Sequence, residues 1–242
     1  MEQETKKPAL DIQPILEIKN LKTYYRSRKG DVPAVDGVDL TLYPGEIVGI
    51  VGESGCGKST LVRSVMGLKN PATSRHEDGS ALFKGKDLFQ LSEKEMCQIR
   101  GKDISMIFQN PLSALDPVYT IGNQIEEILR IHEHITGKQA RERAIDLLRQ
   151  VNIPSPELRI DQYPHELSGG MQQRVVIAIA LACRPKILIA DEPTTALDVT
   201  VQAQILALIK ELKERLQLSV ILITHNMGVV AAICDRMFVM YG

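Results

Sequence analysis

Gly52-Glu53-Ser54-Gly55-Cys56-Gly57-Lys58-Ser59 is the stretch on which the reading of the fold turns. It matches G-x-x-x-x-G-K-[ST], a phosphate-binding loop. The residues before it, Glu46-Ile-Val-Gly-Ile-Val51, are apolar, rich in β-branched side chains and bounded by glycine. That composition fits a buried strand of a parallel sheet. Ser59 to Gly67 reads as a helix. Strand, loop and helix in that order are the context the motif requires. Glycines let successive N–H groups point inward at phosphates, and the helix N-terminus adds positive partial charge at the same place. Lys58 supplies a cation to the β- and γ-phosphates, and the Ser59 hydroxyl is a Mg²⁺ ligand. Gly52 through Thr60 is therefore the candidate nucleotide-binding segment. Cys56 within it is either a small residue tolerated there or an oxidisable thiol at a helix start. Alone, the motif specifies only an NTPase or nucleotide kinase.

Outward from the loop, the chain alternates strand and helix. Ile15 to Tyr25 and Val38 to Leu42 read as strands, with a hairpin turn at Lys29-Gly30-Asp31 and another turn at Pro44-Gly45. Ala81 to Phe89 reads as a polar-edged strand and Ile104 to Phe108 as a buried one. Ile121 to Val151 carries a helical period through Ile121, Ile125, Ile128, Leu129, Ala144, Leu147 and Leu148. Ile187 to Ala190, Val220 to Thr224 and Met237 to Met240 read as short buried strands between helices. The pattern implies an α/β fold with a mostly parallel sheet. The segment at about 110–175 is expected to be a helical insertion into one α/β domain over 15–242, after a flexible leader at 1–14.

Composition narrows the class. Lys+Arg 29 against Asp+Glu 30 gives a net charge of −1, without the basic excess of a free-standing nucleic-acid binder. An apolar fraction of 44% excludes disorder over most of the length. The longest apolar run, Val175 to Cys183, is far short of the roughly 20 residues a bilayer needs. Met1 to Pro14 has no apolar signal core, so the chain is expected in the cytoplasm. Cys56, Cys97, Cys183 and Cys234 have no metal-ligand spacing and read as reduced thiols.

Two further segments carry chemistry. Ile187-Leu-Ile-Ala190-Asp191-Glu192 is an apolar strand ending in two acids. Asp191 is placed to help hold Mg²⁺, and Glu192 is the natural general base for an attacking water. Leu167-Ser168-Gly169-Gly170-Met171-Gln172-Gln173-Arg174 opens a helix with Ser168 as its N-cap, and its glycines leave the helix start open to an anion.

With these segments in order, the chain resembles the nucleotide-binding subunit of an ATP-binding cassette (ABC) transporter from about Leu16 to Tyr241. Tyr25 stands where that family stacks an aromatic on adenine. Gly52 to Ser59 resembles its Walker A loop, Gln109 its Q-loop and Leu167 to Gln172 its signature. Ile187 to Glu192 resembles its Walker B strand, Ala196-Leu197-Asp198 its D-loop and His225 its switch histidine. Phe108 to Pro117, Tyr163 to Met171 and Asp198 to Leu206 are similar to the peptide/nickel importer branch.

The resemblance implies a P-loop NTPase fold, RecA-like, with an N-terminal antiparallel β-subdomain and an inserted helical subdomain. It implies ATP and Mg²⁺ as ligands, with Ser59, Gln109 and Asp191 toward the metal. Glu192, His225, Lys58 and Gln109 would serve catalysis. Ser168, Gly169, Gly170, Gln172 and Asp198 would serve the ATP of a second ATPase subunit closed head to tail on this one. The implied partners are that subunit, two membrane permeases and a solute-binding protein, at the cytoplasmic face of the membrane. The implied function is ATP-powered import of di- or oligopeptides. Import of nickel or another small solute, or a non-transport ABC ATPase, is the alternative. Importers of this branch commonly extend further, so a strand and helix are expected to follow Gly242, and no cysteine cluster for an iron–sulfur centre is present.

Overall fold

The computed structural model describes residues 13–27, 30–68, 74–195 and 197–241, with side chains at 75–77 and 112 left aside. The chain forms two compact units, one of Met1–Met96 with Ser219–Gly242 and one of Cys97–Leu218.

In the first unit β1 (Leu16–Ser27) and β2 (Gly30–Leu42) form an antiparallel hairpin that closes at Ser27 and Gly30. Lys29 of the expected turn lies outside the described residues. β3 (Ile47–Gly52) runs straight into the phosphate loop and α1 (Lys58–Val65). β4 (Ser74–Phe83) and β5 (Lys86–Asp87) complete a sheet of order β2-β1-β4-β5. The single strand expected over Ala81 to Phe89 is thus corrected. The chain reverses at Lys84 and Gly85, both with positive φ (50° and 79°), and continues from β5 into a short 3₁₀ turn at Leu88–Gln90. α2 (Glu93–Ile99) then leads into the second unit.

There β6 (Ile104–Ile107) is followed by α3 (Pro111–Ala114), α4 (Ile121–Glu133), α5 (Gly137–Gln150), α6 (Pro156–Arg159) and α7 (Gly169–Leu181). β7 (Ile187–Asp191) pairs in parallel with β6, and α8 (Val199–Leu216) closes the unit. The helical period of Ile121 to Val151 is borne by α4 and α5, which break at His134 in left-handed backbone. α4 and α5 each bury one apolar stripe, Ile121, Ile125 and Leu129 on α4 and Ala144, Leu147 and Leu148 on α5. α7 is apolar on nearly all sides, and Val175 to Leu181 are buried save Ile179, as expected for a helix at the centre of a core.

β8 (Ser219–Ile223), α9 (Met227–Ile233) and β9 (Arg236–Met240) return to the first unit. β3 pairs in parallel with both β8 and β9. β8 is buried throughout and β3 is buried up to Gly52, the continuous apolar run expected of strands covered on both faces. β9 is not the buried strand its sequence suggests. It ends the strand order and leaves Met237 and Val239 half exposed. Gly49 allows α9 to approach β3, since a Cβ there would lie 2.8 Å from Val230 Cγ1.

Candidate functional site

The predicted residues fall into the two units. In the first, Gly52 ends the buried β3 and Lys58 opens α1. Gly55 and Gly57 have φ of +87° and +93°, a region that glycine enters without the cost other residues bear. A Cβ on Gly57 would meet the Ala34 carbonyl at 2.0 Å, and one on Gly52 the Met240 carbonyl at 2.1 Å. The loop is thus pressed against backbone at two points. Lys58 is only 5% exposed. Its Nζ donates to the carbonyls of Gly52 (2.9 Å) and Glu53 (2.6 Å) and lies 3.7 Å from Cys56 Sγ. The cation therefore sits over the loop, while Glu53, Ser54 and Gly55 are exposed at its rim. Ser59 and Thr60 occupy the first turn of α1, and the Tyr25 hydroxyl reaches Thr60 Oγ1 at 3.4 Å. Beneath them Thr23 Oγ1 and Ser64 Oγ form a buried pair at 3.0 Å, and Ser64 Oγ donates to the Thr60 carbonyl. His225 is exposed just after β8, between Thr224, whose N–H bonds the Ile50 carbonyl of β3, and Asn226, the N-cap of α9.

In the second unit Asp191 is fully buried as the last residue of β7. Glu192 follows it in left-handed backbone, φ +48°. Gln109 Nε2 donates to Glu192 Oε2 at 2.8 Å, and Thr195 Oγ1 donates to the same oxygen at 3.0 Å. Gln109 and Glu192 are thus brought together, 83 residues apart in sequence. Thr195 is a partner that the sequence reading missed. Its signal was a hydroxyl residue three positions after the acid at a strand end. Ser168 caps α7, its hydroxyl accepting from Met171 N. Asp198 caps α8, accepting from Val201 N at 2.9 Å. The two helix starts abut, because a Cβ on Gly170 would lie 2.8 Å from Val201 Cγ1 and one on Gly169 3.5 Å from Leu197 Cδ2. The Gln172 amide turns back into the protein, to the carbonyls of Pro164 and Leu167. Ala196 lies outside the described residues.

The donor types suit Mg²⁺. The Ser59 hydroxyl, Asp191 carboxylate and Gln109 amide oxygen are hard oxygen donors, and this ion commonly takes one or two protein oxygens beside nucleotide phosphates.

The model of the ABC transporter family matches residues 35–195. The chain belongs to the ABC transporter family. Among its relatives is the dipeptide transport ATP-binding protein DppD of Bacillus subtilis (strain 168), 54% identical over 95% of this chain and 69% of that protein. The oligopeptide transport ATP-binding protein AppD of the same organism is 52% identical over 94% of this chain and 69% of its own length. Among solved structures, the dimeric post-hydrolysis state of the ATP-binding cassette MJ0796, bound to ADP and Pi, has a TM-score of 0.82 and 31% identity. That likeness covers 93% of this chain and 94% of the other. The P-loop fold expected from the ABC motifs is thus the fold observed. Among the described residues no helix is long and apolar enough to cross a membrane.

Proposed function

We propose that this chain is the ATP-binding and ATP-hydrolysing subunit of an ABC importer of di- and oligopeptides, working at the cytoplasmic face of the membrane. The observation that carries the chemistry is the loop itself: a buried cation, Lys58, held over carbonyls of a glycine loop at the start of a helix. The peptide cargo is supported by the names of relatives more than half identical to this chain.

In this reading Gly52 to Thr60 wraps the phosphates of ATP, and Tyr25 stacks on the adenine. Lys58 exchanges its loop carbonyls for β- and γ-phosphate oxygens, trading neutral acceptors for charged ones. Ser59, Asp191 and Gln109 would hold Mg²⁺, which neutralises charge on the phosphates. Glu192 accepts the proton of the attacking water, and Gln109 and Thr195 aim its carboxylate. His225 contacts the γ-phosphate. Ser168, Gly169, Gly170 and Asp198 act on the nucleotide of a second ATPase subunit, and Gln172, whose amide faces its own chain, stands behind them. Two membrane permeases and a solute-binding protein complete the assembly. Most of the rate gain comes from positioning and charge stabilisation.

The test is turnover of Mg-ATP by the chain with its partner subunits, parent beside Glu192→Gln, with nucleotide binding followed separately. Loss of a general base lowers turnover by about 10²–10⁴-fold with binding retained. Hydrolysis that persists in Glu192→Gln would sink the assignment. Uptake of a labelled dipeptide into vesicles carrying the assembled transporter tests the cargo.

A further inference from the structure

We infer that Gln172 and Gln202 are positioning residues, twin clamps that set the two helix starts at Gly170 and Asp198 in register with each other. The inference rests on the ATPase reading above. The two places share one construction although their sequences differ. Each helix has an acceptor side chain at its N-cap, Ser168 or Asp198, bonded to the N–H three residues on. Four residues after each cap stands a glutamine. Gln172 Nε2 donates to the carbonyls of Leu167 (3.2 Å) and Pro164 (2.8 Å). Gln202 Nε2 donates to the carbonyls of Leu197 (3.0 Å) and Thr194 (3.2 Å). The turn thus bridged is closed by the same bond in both, Leu167 N to Pro164 O at 3.1 Å and Leu197 N to Thr194 O at 3.3 Å.

The residue type follows from the task. A primary amide has two donors in one plane and so can hold two carbonyls at a fixed spacing. Glutamate has no donor when ionised, and asparagine is a methylene short. The turn held by Gln202 also carries Glu192, because Thr195 bonds it through both backbone (3.1 Å) and hydroxyl (3.0 Å). The abutting positive ends of α7 and α8 repel each other unless held or capped by an anion. Gln202 therefore ties the turn of the catalytic acid to the α8 start, which packs on Gly170, and Gln172 fixes the facing α7 start.

Gln172→Met and Gln202→Met remove the donors at similar length. Three quantities decide: binding of a fluorescent ATP analogue to the chain, kcat and KM in the reconstituted transporter, and thermal unfolding of the chain. Analogue affinity is expected to stay within about twofold while kcat falls about ten- to a hundredfold, the scale of a small misplacement. Parental kcat in both Met variants overturns the inference. So does a loss of affinity as large as the loss of kcat, which would mark a merely structural role. Gln202 is half-buried, so its variant decides even where Gln172→Met fails to fold. A parent that binds no nucleotide overturns the ATPase reading itself and the inference with it, a result distinct from a parent that works beside variants that work equally well.

Discussion

Gly170→Ala measured in two backgrounds tests the packing of the two helix starts. In the parent, the new Cβ lies 2.8 Å from Val201 Cγ1, against the roughly 3.5–4.0 Å at which carbon atoms rest. Val201 is β-branched and helical, so it has one strongly preferred rotamer and cannot simply turn away. Overpacking of this kind costs about 1–3 kcal/mol. Against it stands the gain of replacing glycine by alanine in a helix, about 0.5–1 kcal/mol. Gly170 lies within α7 and has no positive φ that would oppose a Cβ. The substitution is thus expected to be neutral to destabilising by about 2 kcal/mol in the parent. With Val201→Ala the colliding methyl is gone and only the helix gain remains. The same substitution then stabilises by about 0.5–1 kcal/mol. Urea unfolding of the four chains at matched m values gives the coupling, expected at about 1–3 kcal/mol. If Gly170→Ala has the same effect in both backgrounds to within about 0.5 kcal/mol, the contact carries no energy and the reasoning is wrong.

Gly57→Ala should cost more than about 3 kcal/mol and abolish nucleotide binding, because its Cβ would meet the Ala34 carbonyl at 2.0 Å in left-handed backbone. Gly55→Ala has the same backbone problem but open space, and unfolding should show a cost of only about 1–2 kcal/mol. Burial, and then Asp235 beside Cys234 or Glu133 beside Cys183, pushes the first thiol up to about 12 and the second up to about 11. Unfolded thiols ionise near pH 8.5, so stability is full below that pH and falls as pH rises toward 11–12. Cys183→Ala should flatten that fall in unfolding midpoints, and an unchanged slope would contradict it. Arg236→Met leaves the Glu46 carboxylate, 11% exposed, without its guanidinium and should cost about 2–3 kcal/mol in urea unfolding. Glu46→Met on top should recover part of the loss.

The strand into the phosphate loop was legible because burial on both faces leaves only one kind of sequence, Ile47 to Val51, bounded by glycines. The acids at the end of β7 were legible because the apolar run Ile187 to Ala190 stops at two carboxylates, the first of them buried. What failed was local geometry without a marked residue type. Lys84 turns the chain in left-handed backbone, and its one marker, the neighbouring Gly85, is a signal that a strand pattern can also absorb, so β4 and β5 read as one strand. His134 divides α4 from α5 in the same way. β9 has the composition of a buried strand, but one of its two faces is uncovered and exposes Met237 and Val239. Thr195 and Gln202 were invisible because a threonine in a turn and a glutamine in a helix are ordinary, and their roles lie in the carbonyls and carboxylate they face.

The left-handed backbone at Glu192 belongs to the same set of local exceptions, and its position gives it meaning. A non-glycine residue at φ +48° costs about 1–2 kcal/mol, which glycine would avoid. Glycine has no carboxylate, however, and two donors, Gln109 and Thr195, converge on the one that stands here. Two charge-assisted hydrogen bonds of about 1.5–3 kcal/mol each outweigh that strain, so the side chain holds the backbone in place as much as the reverse. A carboxylate needed only as a strand terminus would not require a strained backbone and two converging donors. The general base proposed for Glu192, which would meet water at one fixed angle, does, and preorganisation of this kind is what a reaction limited by positioning demands. In the proposed reading the exception to local preference and the chemistry fall on the same residue, as expected where function rather than folding selects the conformation.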